Sequence, residues 1–130
     1  MRLGKRKKQR PLAGTLGKHL TRRSRGRCEL CESRDEPRPF ELAPFPDEPD
    51  PERTLMACRR CRTWLEAKRI DPIEAHFLEG AVWAEVAPVR LAAARMLLSN
   101  EDLNDPWMHD ALDATNVDPN TLEFRVEDWN

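Results

Sequence analysis

Tyrosine is missing from the 130 residues, and four Trp and four Phe supply all the aromatic surface. With 35% of the chain charged, the apolar inventory supports one modest domain with a small core, and such a core gains from an added cross-link. Five glycines leave no glycine-rich phosphate loop, which excludes the common nucleotide-binding fingerprints. No apolar run approaches the length of about 18 residues that a membrane helix needs. The N-terminus also lacks the apolar stretch of a secretory signal. These absences lead us to expect a cytoplasmic protein in a reducing compartment, where paired cysteines bind metal more often than they form disulfides. The three histidines, His19, His76 and His109, form no His-x-His or His-Glu-x-x-His pattern. None lies within 32–75, which excludes an HNH-type nuclease. His76 is expected to be a packed or capping residue, His19 part of a basic helix, and His109 a surface residue.

Acid is missing from the start of the chain. Residues 1–27 hold eleven Lys/Arg and no Asp or Glu, while 28–130 hold eleven Lys/Arg against all 23 acids. A +11 arm thus precedes a −12 body. Such a division suits an arm that binds a polyanion, or one that folds onto an acidic surface.

All four cysteines fall in two short pieces, "RCELC" and "ACRRC", as Cys28, Cys31, Cys58 and Cys61. A Cys-x2-Cys turn brings two sulfurs within reach of one tetrahedral ion at about 2.3 Å each, and two such turns complete four-coordination. The second pair runs into helix-forming "RTWLEAKR", so Cys61 falls in a first helical turn where the helix dipole favours thiolate. Arg27, Arg59, Arg60 and Arg62 flank the ligands and can offset the charge of four thiolates on a divalent ion. The expected ion is Zn²⁺. Four thiolates leave no open coordination position, so its role is structural and no catalytic residue is assigned. A redox dithiol needs only one pair, in a βαβ setting that is missing here.

Along the chain, 1–11 is too polar to order alone. In 12–25, Leu12, Leu16 and Leu20 form one helical stripe, weakened by Gly14 and Gly17 so that the helix needs docking. Six prolines punctuate 32–57; Phe40 and Leu42 alternate as in an edge strand, "TLMA" reads as its partner, and "PFPDEPDPE" turns between them. Four helices are then expected: about 59–69; from Asp71, with Pro72 at the first position and Glu74 as capping-box partner, to about Trp83; 88–99, with Val89, Ala93, Met96 and Leu97 on one face; and a last one after Asp105-Pro106. "DPNTL" at 118 repeats the cap chemistry. Trp64 and Trp83 are expected in the core rather than as base-stacking platforms.

A cysteine turn, a hairpin and a helix carrying the last ligands is the order of a treble-clef or zinc-ribbon unit. The fold class is therefore small α+β: a basic arm over 1–27, a zinc-binding unit over 28–70, and a mostly helical part over 71–130 packed on it. Read together, "RRSRGRCELCES", "FELAPFP", "LMACRRC", "AHFLEGAVWAEVAPVRLAAARML" and "DPWMHDALDATNVDP" resemble the longer PhnA-type proteins, small bacterial zinc proteins named after a phosphonate-utilisation operon. The resemblance covers about 16–126, and implies that Cys28, Cys31, Cys58 and Cys61 are the metal ligands. Where such proteins often read "NHW" or "NRW", this chain has "AHFLEG". The resemblance also raises an accessory or enzymatic role in phosphonate metabolism as the alternative function.

The expected function is non-enzymatic binding of RNA or a ribonucleoprotein through the arm. The candidate contacts are Lys5, Arg6, Lys7, Lys8, Arg10, Lys18, Arg22, Arg23 and Arg25, since cations without acids attract phosphate backbones. An acidic protein, or a second copy of this chain, is the other class of partner.

Overall fold

In a computed structural model the described residues are 14–115. They form a small α+β fold with one two-stranded antiparallel sheet. The order is α1 (Gly14–Ser24), β1 (Arg38–Glu41), β2 (Thr54–Ala57), α2 (Arg59–Ala67), α3 (Leu78–Ala81), α4 (Ala87–Leu98) and α5 (Pro106–Thr115), with a 3-10 turn at Glu101–Leu103. No described helix is long and apolar enough to cross a membrane. The basic run at Lys5–Lys8 with Arg10, and "DPNTL" at 118, lie outside the described residues.

The hairpin has the expected place, and its register sets Arg38 opposite Ala57 and Glu41 opposite Thr54. The proline-rich connection closes on Leu42 N–H donating to the Arg53 carbonyl at 2.7 Å. β2 is buried along its whole length and passes directly into α2, which Lys68 ends in the left-handed conformation at φ 58°. α4 is the centre of the fold: Val89, Ala92, Ala93, Met96 and Leu97 are all buried. One apolar cluster runs from Cys28 and Leu30, through Leu55 and Ala57, to Leu97, Met108 and Leu112.

The segment expected as a helix from 71 to 83 is different. Asp71 Oδ1 accepts from Ile73 N–H at 2.9 Å, as its cap chemistry requires, but 72–77 is a series of turns and only Leu78–Ala81 is α-helical. Several bonds there span three residues, such as Leu78 N–H to the Ala75 carbonyl and Gly80 N–H to that of Phe77. Glu74 pairs with Arg60 at 3.5 Å. Ala75, Leu78 and Val82 are fully buried while Ile73 is 86% exposed, so packing sets the path of this segment and overrides its local preference.

Three other expectations are corrected. Trp83 is 60% exposed and is not a core residue. His109 is half-buried, with Nε2 enclosed and without a hydrogen-bond partner, rather than lying at the surface. Trp64 is partly buried and packs against the core, whereas His76, expected to be packed or capping, is exposed because it lies on the outer side of the 72–77 turn segment, with its ring 4.5 Å from that of Trp107.

Candidate metal centre

The first cysteine turn is held by its own backbone. Cys28 N–H donates to the Ser33 carbonyl at 2.8 Å, and Glu32 N–H returns to the Cys28 carbonyl at 2.9 Å. Closing so tight a loop puts Glu32 in the left-handed region at φ 69°. Main-chain N–H groups of Cys31 and Ser33 face the Cys28 and Cys31 sulfurs respectively. The second turn joins β2 to α2: Cys58 is the N-cap residue of α2 and Cys61 sits in its first turn. Glu29 N–H donates to the Met56 carbonyl at 2.8 Å, which sets the first turn against β2 beside the second.

The result is that all four sulfurs lie within 4.8 Å of one another. Cys31 Sγ is 3.6 Å from Cys58 Sγ and 3.9 Å from Cys61 Sγ. A tetrahedral ion with metal–sulfur bonds of about 2.3 Å needs sulfurs about 3.8 Å apart, whereas a disulfide needs about 2.05 Å. The donor set and its spacing therefore fit one tetrahedral ion of the soft divalent class, and the four cysteines named from the sequence are brought together. Their chemistry points the same way. Hydrogen bonding to Cys31 pushes the Cys28 thiol up to about 11. Cys61 is pushed up by Cys28, then by Cys31 and burial. Cys31, which accepts from Cys28 and Cys61, is driven far below the ordinary thiol value. Four sulfurs this close repel one another as thiolates, and a cation among them removes the conflict.

The flanking arginines divide their work. Arg59 pairs with Asp35 at 3.2 Å and Glu36 at 3.0 Å. Arg62 donates to the Ala57 carbonyl at 2.7 Å and to that of Glu36. Both tie α2 to the segment leaving the first cysteine turn. Arg60 lies over the Trp64 and Phe77 rings, 5.0 and 5.4 Å from their centroids.

The described arm residues do not share one role. Lys18, Arg22 and Arg25 are exposed. Arg23 points the other way. Its Nε and Nη2 donate to the two Glu29 oxygens at 2.7 and 2.9 Å, and its Nη2 and Nη1 also donate to the Thr54 and Pro51 carbonyls at 2.8 and 3.1 Å. Glu29 Oε1 accepts in turn from Met56 N–H at 2.8 Å. Arg23 therefore latches α1 to the first cysteine turn and to β2, a structural task in place of the phosphate contact expected of it. Its signal was in the sequence: Arg23 continues the Leu16/Leu20 stripe at i+7, and Glu29 is the first acid of the chain.

Asn100 also escaped sequence reading. It is fully buried, and its Oδ1 accepts from Ile70 N–H at 3.2 Å and Arg69 Nη1 at 3.1 Å. Its Nδ2 donates to the Met96 carbonyl at 2.7 Å. One side chain thus joins the exit of α2 to the end of α4.

No protein-family model, curated protein or solved structure matches the chain.

Proposed function

We propose that this is a structural-zinc protein of PhnA-like, treble-clef type that binds RNA or a ribonucleoprotein without catalysing a reaction. The four-sulfur cluster within 4.8 Å supports the zinc assignment. Thiolates from Cys28, Cys31, Cys58 and Cys61 would fill a tetrahedral shell, and the ion then cross-links two chain turns around a small core. A cysteine turn, the β1–β2 hairpin and α2 carrying the second pair follow one another in the order such a unit requires.

The observation that carries the binding role is the orientation of α1. Leu20 is fully buried and Arg23 is latched inward, so the helix is fixed with Lys18 and Arg22 on its outer side and Arg25 exposed just beyond its end. The cations Lys5, Arg6, Lys7, Lys8 and Arg10 precede it in the chain. A fixed basic face extended by a basic segment offers phosphate contacts in excess of what the −12 body repels.

The test is a salt titration of single-stranded RNA binding. With about five or six phosphate contacts, log K should fall with log salt at a slope near −4, each contact contributing about −0.7. Lys18→Ala/Arg22→Ala/Arg25→Ala should flatten that slope and weaken all sequences alike, because phosphate contacts carry no base information. Equal affinity and slope for this variant and the native chain would remove α1 from the interface. If the native chain binds no RNA at low salt, the binding role itself is wrong.

A further inference from the structure

Burial of Ala75, Leu78 and Val82 anchors the segment before α4, and these residues recur at intervals of three and four. The opposite side follows the same intervals. Ile73, His76, Gly80 and Trp83 are all exposed, Ile73 at 86% and Trp83 at 60%. Hydrogen bonds that span three residues, from Glu79 N–H to the His76 carbonyl at 3.1 Å and from Trp83 N–H to that of Gly80 at 3.0 Å, set such positions above one another. Two large apolar side chains thus stand on one outward face. Between them Gly80 leaves a gap, since a Cβ added there would meet no packed neighbour within 4 Å. His76 extends the face to α5 through its contact with the Trp107 ring. The charge of this segment has one sign: Asp71, Glu74, Glu79 and Glu85 fall between Arg69 and Arg90 with no Lys or Arg among them. Glu74 is paired with Arg60 and Arg90 is turned to the Ala84 carbonyl at 2.7 Å, while Glu79 and Glu85 remain exposed.

We propose that this acidic, apolar face receives the basic α1 face of a second copy of the chain. α1 packs on β2, whereas α3 packs on α4 and α5. Lys18, Arg22 and Arg25 are exposed in the same molecule that exposes Ile73 and Trp83, so within one copy neither face covers the other. Their chemistry is complementary. Lys and Arg stems cover apolar surface while their charged heads reach carboxylates, and a cation is attracted to the face of an exposed Trp ring. The chain already seats one guanidinium in this way, with Arg60 over Trp64 and Phe77 and Glu74 at 3.5 Å. A net charge of −1 leaves almost no overall repulsion between copies, so the opposite faces decide how they meet, and the chain itself supplies both. Unlike surfaces meet in such a contact, so each added copy leaves one of each open, and association proceeds past the dimer unless the rotation closes a ring. The same α1 cations serve the RNA reading, so self-association rests on that orientation of α1 and not on RNA.

The full chain loaded with Zn²⁺ is sedimented over a concentration series at ionic strengths of about 0.01 M and about 1 M, where charges act over about 30 Å and about 3 Å. The mean sedimentation coefficient should climb with concentration at the lower salt and stay at the monomer value at the higher. Gly80→Lys puts a cation into the gap, where there is room for it, and should abolish the climb without lowering the melting temperature. Lys18→Ala/Arg22→Ala/Arg25→Ala should abolish it from the other side. Each variant keeps the face that the other lacks, so an equimolar mixture should form a 1:1 pair that grows no further. That rescue separates docking from a loss of fold, which mixing could not repair. If Gly80→Lys fails to fold, Trp83→Ala takes its place in the mixture. A native chain that stays monomeric at low salt, a climb that persists in both variants, or a mixture that stays monomeric would overturn the proposal. RNA binding by a chain that never self-associates would remove this interface and leave the binding role intact. Self-association without RNA binding would do the reverse.

Discussion

Consider replacing Arg23 by Met, which keeps the length and apolar stem but removes the guanidinium. The side chains of Arg23 and Glu29 are 16% and 6% exposed, so the pair is largely out of water. Loss of the guanidinium strands the Glu29 carboxylate, which keeps only its Met56 N–H donor, and leaves the Pro51 and Thr54 carbonyls without their Arg23 donor. Breaking one side of a buried, hydrogen-bonded ion pair costs about 3–5 kcal/mol. The partial exposure of Arg23 places this case near the lower end, at about 3 kcal/mol. Urea unfolding of the zinc-loaded chain followed by far-UV circular dichroism measures it. The paired variant Arg23→Met/Glu29→Gln should recover part of the loss, because the stranded charge is then gone, with a coupling energy of about 1–3 kcal/mol. RNA affinity offers the second reading. At a temperature where the variant is folded, Arg23→Met should bind RNA with the salt slope of the native chain. A variant within about 0.5 kcal/mol of native stability that nonetheless loses one phosphate contact's worth of slope, about 0.7, would return Arg23 to the outer face and refute the latch.

Elemental analysis should find one zinc per chain, and Cys58→Ser, or a strong chelator, should collapse most of the melting transition, since ion binding contributes on the order of 10 kcal/mol in small sites of this kind; a chelated protein that melts as before would exclude a stabilising ion. Asn100→Ala removes the acceptor of the Ile70 N–H and leaves the Met96 carbonyl with only its Ser99 Oγ donor, and should cost about 1–3 kcal/mol in urea unfolding, with Asn100→Asp also destabilising because the carboxylate cannot donate to Met96. Trp83→Ala should change stability by less than about 0.5 kcal/mol, as expected of an exposed position; a larger loss would mean that Trp83 is covered in solution.

Where chemistry is written into spacing, the sequence was a good guide. The two cysteine pairs, the proline-framed hairpin, and the helices that follow Cys58 and Asp105 all depend on short-range rules of turn, cap and ligand distance. α4 was legible for a related reason: Val89, Ala93, Met96 and Leu97 recur at helical spacing, and all four are buried. The segment after Asp71 shows the limit. Its cap residue does what a cap does, yet the burial of Ala75, Leu78 and Val82 is decided by α4 and α5, which no local window contains. Trp83 was misplaced for the same reason, since its size suggests a core position but its turn faces outward. Arg23 looked like one more cation in a basic block, because its partner lies beyond the helix and inside the first cysteine turn. Asn100 is polar and sits at a helix end, where an exposed capping role is the ordinary reading; only the fold shows Ile70 N–H and Arg69 arriving at it.

Glu29 occupies the loop between Cys28 and Cys31, so the segment that would grip a bound ion is also the one that Arg23 grips from α1. Docking of that helix and ordering of the ligand loop thus share one set of atoms and favour each other. Linkage is reciprocal: whatever binds the seated form of α1 must tighten ion retention by the same factor by which the ion tightens that binding. If a partner does so, the ion affinity of this chain would depend on that partner as well as on its four sulfurs, and a value measured on the isolated protein would be the lower bound for the assembled one.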